Sequence, residues 1–237
     1  MKKILFLLIL AIPILVNAET IEAITEKYYK TIEMKPVNAS DDLHISTTSE
    51  ISEEEYNLGK EEPQRNNIIV ETTYKKMTVT ISATQNRYKY KVKLHWKNIP
   101  STRSYDIIGL AYLSSVETEL GPIFEQEYCY SSGGCYSSSS HYPKEESDSV
   151  SAVFALPTGS LSSLDQTLYV IVGKKNSNTT IVYQRAVGDY SHATSNVSLS
   201  NVLNHYTMDL GGLSLDSNIY SNYDNISTAQ ATWNGTW

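Results

Sequence analysis

The chain has 237 residues, two cysteines and a formal net charge of −7, length enough for one sizeable core or two small ones. That acidic balance excludes a nucleic-acid binder driven by overall charge, which needs a basic domain to neutralise phosphates. Tyrosine outnumbers phenylalanine 18 to 3, so the aromatic positions must tolerate a hydroxyl, as on a wet binding surface or on strands with one solvated end.

Met1-Lys2-Lys3 leads into an apolar stretch from Ile4 to Val16, and Val16-Asn17-Ala18 offers small residues for cleavage, so residues 1–18 are expected to be a signal peptide. The apolar run is shorter than the roughly 20 residues a spanning helix needs and is interrupted by Pro13. The expected product is secreted, extracellular or periplasmic, with no stable transmembrane anchor. Residues 19–66 are expected to form a short helix and an acidic linker. Ile21, Ile24, Tyr28 and Ile32 recur at spacings of three and four, which predicts a short N-terminal helix. From Pro36 to Asn67 the chain is polar. Within residues 41–62, Asp41, Asp42, Glu50, Glu53, Glu54, Glu55, Glu61 and Glu62 face Lys60 alone, the composition of a flexible segment unable to offset its ordering entropy.

Over residues 67–237 the period becomes two. Met77, Val79, Ile81 and Ala83 alternate with polar residues, as do Tyr88, Tyr90, Val92, Leu94 and Trp96, which predicts two half-buried strands joined through Gln85-Asn86-Arg87. Further short β-branched or aromatic runs follow at Tyr105–Ser114, Pro122–Tyr130, Ser149–Leu156, Thr167–Gly173 and Thr179–Val187, with one more candidate at His205–Leu210. In Ile107–Leu113 and Leu168–Val172 both faces are apolar, as for strands inside a packed structure, and Lys174–Asn178 is expected to be a hairpin loop. Successive strands without helical crossovers predict an all-β, mainly antiparallel β-sandwich, immunoglobulin-like or related.

Cys129 and Cys135 enclose a Gly-containing segment, and in an exported chain they are expected to form a disulfide worth about 2 kcal/mol in the chain-entropy model. Around it, Tyr128, Tyr130, Tyr136 and Tyr142 are candidate ligand contacts, because rigid aromatics bury much area at little entropic cost; covering a sandwich end is the plain alternative. By strand alternation Lys89, Lys91, Lys93 and Lys97 share one face with His95. Such a stripe either binds anionic polymers or is a solvated face that discourages sheet-to-sheet association. The acidic segment 41–62 is expected to fold back on it. Glu125 and Glu127 point the same way on one strand and support an alternative as a secreted glycan hydrolase. A membrane-active β protein is a third reading, since alternating strands can line a barrel. Asp216, Asn218, Asn222, Asp224 and Asn225 offer oxygens without EF-hand spacing, the five histidines form no ligand motif, and no Gly-x-Ser-x-Gly elbow occurs, so neither metal nor other cofactor is implied. The expected role is non-catalytic binding or adhesion at a cell surface, with an extracellular glycan or protein as partner. Oligomeric state is not encoded in any motif.

Overall fold

Period-two alternation gives each strand one apolar face, and two sheets laid face to face remove those faces from water together. In the computed structural model, which describes residues 19–37, 45–64, 67–84, 87–138, 141–224 and 226–237, the strands are β1 (Thr20–Pro36), β2 (Ile45–Ile51), β3 (Ile68–Thr84), β4 (Arg87–Trp96), β5 (Tyr105–Tyr112), β6 (Val116–Tyr130), β7 (Cys135–Ser138), β8 (His141–Glu145), β9 (Ser149–Ala155), β10 (Leu161–Lys174), β11 (Tyr183–Ser191), β12 (Tyr206–Asp209), β13 (Gly212–Leu215) and β14 (Ala229–Asn234). Three short helices are α1 (Glu53–Leu58), α2 (Leu199–Leu203) and α3 (Ser217–Tyr220). The larger sheet runs β2-β1-β3-β4-β10-β6-β7 and the smaller β14-β11-β5-β9-β8, with β12 and β13 pairing on their own. Every ladder is antiparallel. The protein is thus an all-β antiparallel sandwich. Among the described residues no helix is long and apolar enough to cross a membrane. Residues 1–18, expected to be a signal peptide, and Gln85-Asn86 of the expected hairpin connection lie outside the described residues.

Register explains the core. Val79 pairs with Val92, Met77 with Leu94 and Ile81 with Tyr90, while Leu168 and Val170 of β10 continue the same inward rows. All of these are buried in the main cluster, which the smaller sheet closes with Ile108, Leu110, Phe154, Ala186 and Tyr190. The layers approach closely at Gly188 on β11, where an added Cβ would lie 2.5 Å from Val79 Cγ2 and 2.8 Å from Val92 Cγ2. On the far side of the smaller sheet, Ile107 and Val153 pack against Val202, Tyr206 and Ile219 from the segment carrying α2, β12 and α3. That cover is why Ile107–Leu113 is apolar on both faces. Tyr169 and Ile171, by contrast, are only half-buried on the outer face of the larger sheet.

Four expectations are corrected. Residues 20–36 are strand β1 rather than a helix, paired with β3 along nearly its whole length. Of the residues that carry the helical spacing, Ile21 and Ile24 are exposed at 60% and 54%, while Tyr29, Thr31 and Glu33 alternate inward. β-branched content and a long ladder outweigh a four-residue helical pattern. Within the acidic linker, 45–51 form β2 on the edge of β1, and α1 follows. Ser52 caps that helix by accepting from Glu55 N, acidic residues fill its first turn, and Gly59 closes it at φ 57°. Lys27 and Lys30 then hold the segment through Glu50 and Glu62 at 2.8 Å and 2.6 Å. Lys174–Asn178 is no hairpin loop: both edges of β10 are taken by β4 and β6, so the chain crosses to the other sheet. The strand expected at Thr179 begins only at Tyr183.

Candidate functional site

The segment carrying α1 covers one end of the larger sheet's outer face, where Tyr56 packs against Tyr28 and Tyr74, and along β4 alternation fills that face with polar residues. Along β4, Lys89, Lys91, Lys93 and His95 point outward while Tyr90, Val92 and Leu94 point in. Lys93 Nζ lies 2.9 Å from Asp165 Oδ2, and His95 Nδ1 is 2.6 Å from Asp165 Oδ1. Desolvation pushes the Asp165 carboxyl up, but the hydrogen bonds from His95 and Lys93 outweigh it and hold the group below its ordinary range. Lys89 pairs with Glu19 at 3.3 Å and covers the Tyr169 ring at 4.5 Å. Lys91, Lys93 and His95, with Lys76 and Thr78 of β3, line an open depression of about 210 Å³. The acidic segment meets this comb differently from expectation. Lys97 donates to the backbone carbonyls of Tyr56 and Asn57, at 2.5 Å and 2.7 Å, whereas the carboxylates paired with Lys89 and Lys93 come from residues 19 and 165.

The tyrosines gather at one end of β6. Cys129 and Cys135 are joined in a disulfide with Cα atoms 4.1 Å apart, across a turn in which Gly133 and Gly134 take φ values of 100° and 90°. One residue before the staple, Tyr128 stands directly opposite Tyr136. Ring centroids lie 5.9 Å apart for Tyr128–Tyr136 and 5.6 Å apart for both Tyr128–Tyr130 and Tyr130–Tyr136, so three aromatics form one cluster with Tyr136 54% exposed. Tyr142 is placed elsewhere, on edge strand β8 of the smaller sheet. Tyr128 and Tyr136 also line, with Glu127, Ser137, Ser163 and Asp165, a depression of about 380 Å³ beside the disulfide.

Glu125 and Glu127 are both exposed on β6, and their cross-strand neighbours on β10 are Thr167 and Asp165. A second carboxylate therefore does adjoin Glu127, on an open sheet face and already engaged by Lys93 and His95.

Inside the sandwich lies a polar cluster that the sequence reading passes over. Lys75 and Asp224 are both fully buried and form an ion pair. Asp224 Oδ1 also accepts from His192 N at 2.7 Å, so this residue, an apparent calcium oxygen in sequence, is committed to the core. Asp106, equally buried, accepts from the Tyr190 hydroxyl and from Ala193 N, and its Oδ1 lies 2.9 Å from His192 Nδ1. Burial, reinforced by Asp106, drives the Tyr190 phenol well above its ordinary range, so it stays a donor. Next to it, Asp189 accepts from Tyr190 N and Leu213 N at 2.7 Å and 2.8 Å. Desolvation still raises its carboxyl to about 7, against the lowering effect of those two bonds. One signal in the sequence reaches this cluster: carrying the alternation of Met77, Val79 and Ile81 back one step places Lys75 on the apolar face.

No protein-family model matches the chain, and no curated protein matches it.

Proposed function

We propose that the protein is a secreted, non-catalytic binding or adhesion protein whose ligand is an extracellular glycan or protein, gripped by the tyrosine cluster of the β6–β7 hairpin. The observation that carries this reading is the Tyr128-Tyr130-Tyr136 cluster beside a disulfide. Its rings are positioned by a short ladder before any ligand arrives, so little conformational entropy remains to be lost on binding. Glu127, Ser137 and Ser163 flank the rings with hydrogen-bonding groups, and Lys91 with Lys93 adds positive charge on the same sheet. An apolar stacking platform bordered by polar groups suits a sugar ring or a peptide with aromatic or apolar anchors.

The test is a screen of the purified protein on glycan arrays and extracellular matrix proteins, repeated with Tyr130→Ala and Tyr136→Ala. Loss of a central aromatic contact is expected to weaken binding about 30-fold or more. A ligand bound equally well by both variants would show that recognition lies elsewhere.

A further inference from the structure

Lys75 occupies a position that an ammonium group cannot comfortably hold. It pairs in register with Tyr29 on one side and Trp96 on the other, in an inward row of the larger sheet, and is fully buried. Its Nζ lies 4.9 Å from the centre of the Trp96 ring and 5.6 Å from that of Tyr190. An ammonium brings three N–H donors, yet among the described residues Asp224 Oδ2 is its one hydrogen-bond acceptor. Taking both ions out of water costs several kcal/mol each, which a single contact and two aromatic faces repay poorly. The surroundings suit a group with no charge and a single N–H, as in a secondary amide.

Asp224 is prepared on the matching side. Oδ2 meets Lys75, while Oδ1 is held by His192 N at 2.7 Å, and Asp224 N donates to His192 O at 2.9 Å, which fixes the carboxyl relative to β11. A backbone N–H aimed at Oδ1 polarises the carboxyl carbon and stabilises the oxyanion of a tetrahedral intermediate. Nucleophile and electrophile are already in contact in a dry, closed space, where effective molarities of roughly 10⁵–10⁸ M become attainable.

We propose that Lys75 and Asp224 condense into an intramolecular amide, an isopeptide bond linking β3 to the segment that precedes β14. Proton transfer within the pair gives the neutral amine and the neutral acid. Nζ then attacks Cγ of Asp224, the Nζ–Cγ bond forms, and the Cγ–Oδ2 bond breaks. The proton lost by Nζ leaves with Oδ2, so one water departs and no oxidant, reductant or cofactor enters. Asp106 and the His192 imidazole, whose Nε2 has no hydrogen-bond partner among the described residues, are the adjacent buried groups able to carry that proton. The retained Oδ1 becomes the amide oxygen and keeps its bond from His192 N.

This inference is independent of the tyrosine cluster and of any ligand. It is tested by intact-mass measurement on the folded wild-type protein after reduction of the disulfide, followed by proteolytic mapping. The expected mass is one water below the value calculated from the sequence of the purified chain. Digestion should release a branched fragment joining the peptide with Lys75 to the peptide with Asp224. Lys75→Met, which keeps an unbranched chain without the nucleophile, should restore the full mass and abolish the branched fragment. A folded wild-type protein at full calculated mass would overturn the proposal, and so would a water loss mapped to any other pair of residues.

Discussion

Asp189 gives the sandwich a pH dependence of unusual sign. Its carboxyl is 4% exposed, sits between Tyr190 N and Leu213 N, and is raised to about 7 chiefly by desolvation. The negative charge of Asp224 is a lesser cause, so the direction survives if that charge is lost to an amide. In the unfolded chain an aspartate titrates near ~3.9. Below that value both states are protonated and Asp189 contributes no pH dependence. Above it the unfolded state releases its proton while the folded state keeps one until its own raised value is reached. Stability therefore falls as pH rises through this window, by up to about 1.4 kcal/mol per unit and about 4 kcal/mol across the whole of it. Glu19, Glu26, Glu50 and Asp165 are held below their ordinary ranges and act in the opposite sense, losing stability only as pH falls through the acid range. From pH 5 to 7 the slope thus belongs mainly to Asp189. Urea denaturation midpoints of wild type and Asp189→Asn, measured at half-unit intervals from pH 4.5 to 8, isolate it. The asparagine turns an N–H toward one of the two backbone donors and lowers stability by a constant amount, without a proton to lose. Wild type should approach and then fall relative to the variant as pH rises, and two parallel profiles would refute the assignment.

Gly188→Ala places a methyl group within 2.5 Å of Val79 Cγ2, well inside van der Waals contact, and forces the two sheets apart locally. It should cost about 1–3 kcal/mol by urea denaturation, and an unchanged midpoint would show that the layers can slide freely. Replacing Cys129 and Cys135 together by serine should cost about 2 kcal/mol or less of global stability, because the closed loop is short. The same pair should accelerate amide exchange selectively from residue 128 to 136, and uniform protection would show that the β6–β7 ladder needs no staple.

The β3–β4 pair is legible in the sequence because uninterrupted alternation over a buried ladder leaves a single register that puts Val79, Val92 and Leu168 on one face. β1 is not, because a long strand whose outer face is exposed is free to place isoleucines there at any spacing. Ile21 and Ile24 mimic a helix stripe, while the inward set of Tyr29, Thr31 and Glu33 is too polar to read as core. β7 and β8 are short edge pieces among serines, and their strand character comes from pairing with β6 and β9 rather than from local preference. The crossing from β10 to β11 is likewise a tertiary fact, since residues 174–178 look the same whether the next strand joins this sheet or the other.

The two polar systems differ in how far local information reaches. The outward lysines and the tyrosines beside the disulfide are spaced by a single strand and its hairpin, so alternation alone groups them, and it errs only for Tyr142, which a second strand carries into the other sheet. The inward lysine announces itself by phase, but its partner is 149 residues away, in a stretch rich in Asn, Ser and Tyr that reads as loop. That separation also fixes the consequence of the proposed bond. Lys75 lies within the larger sheet, on its third strand, and Asp224 comes five residues before the strand that closes one edge of the smaller. An amide between them makes a covalent path from β3 to β14 that bypasses every intervening hydrogen bond. A load applied between residues N-terminal to Lys75 and C-terminal to Asp224 then passes through that bond, and the strands from β4 to β11, with the tyrosine hairpin they carry, stay unstrained while the load is borne.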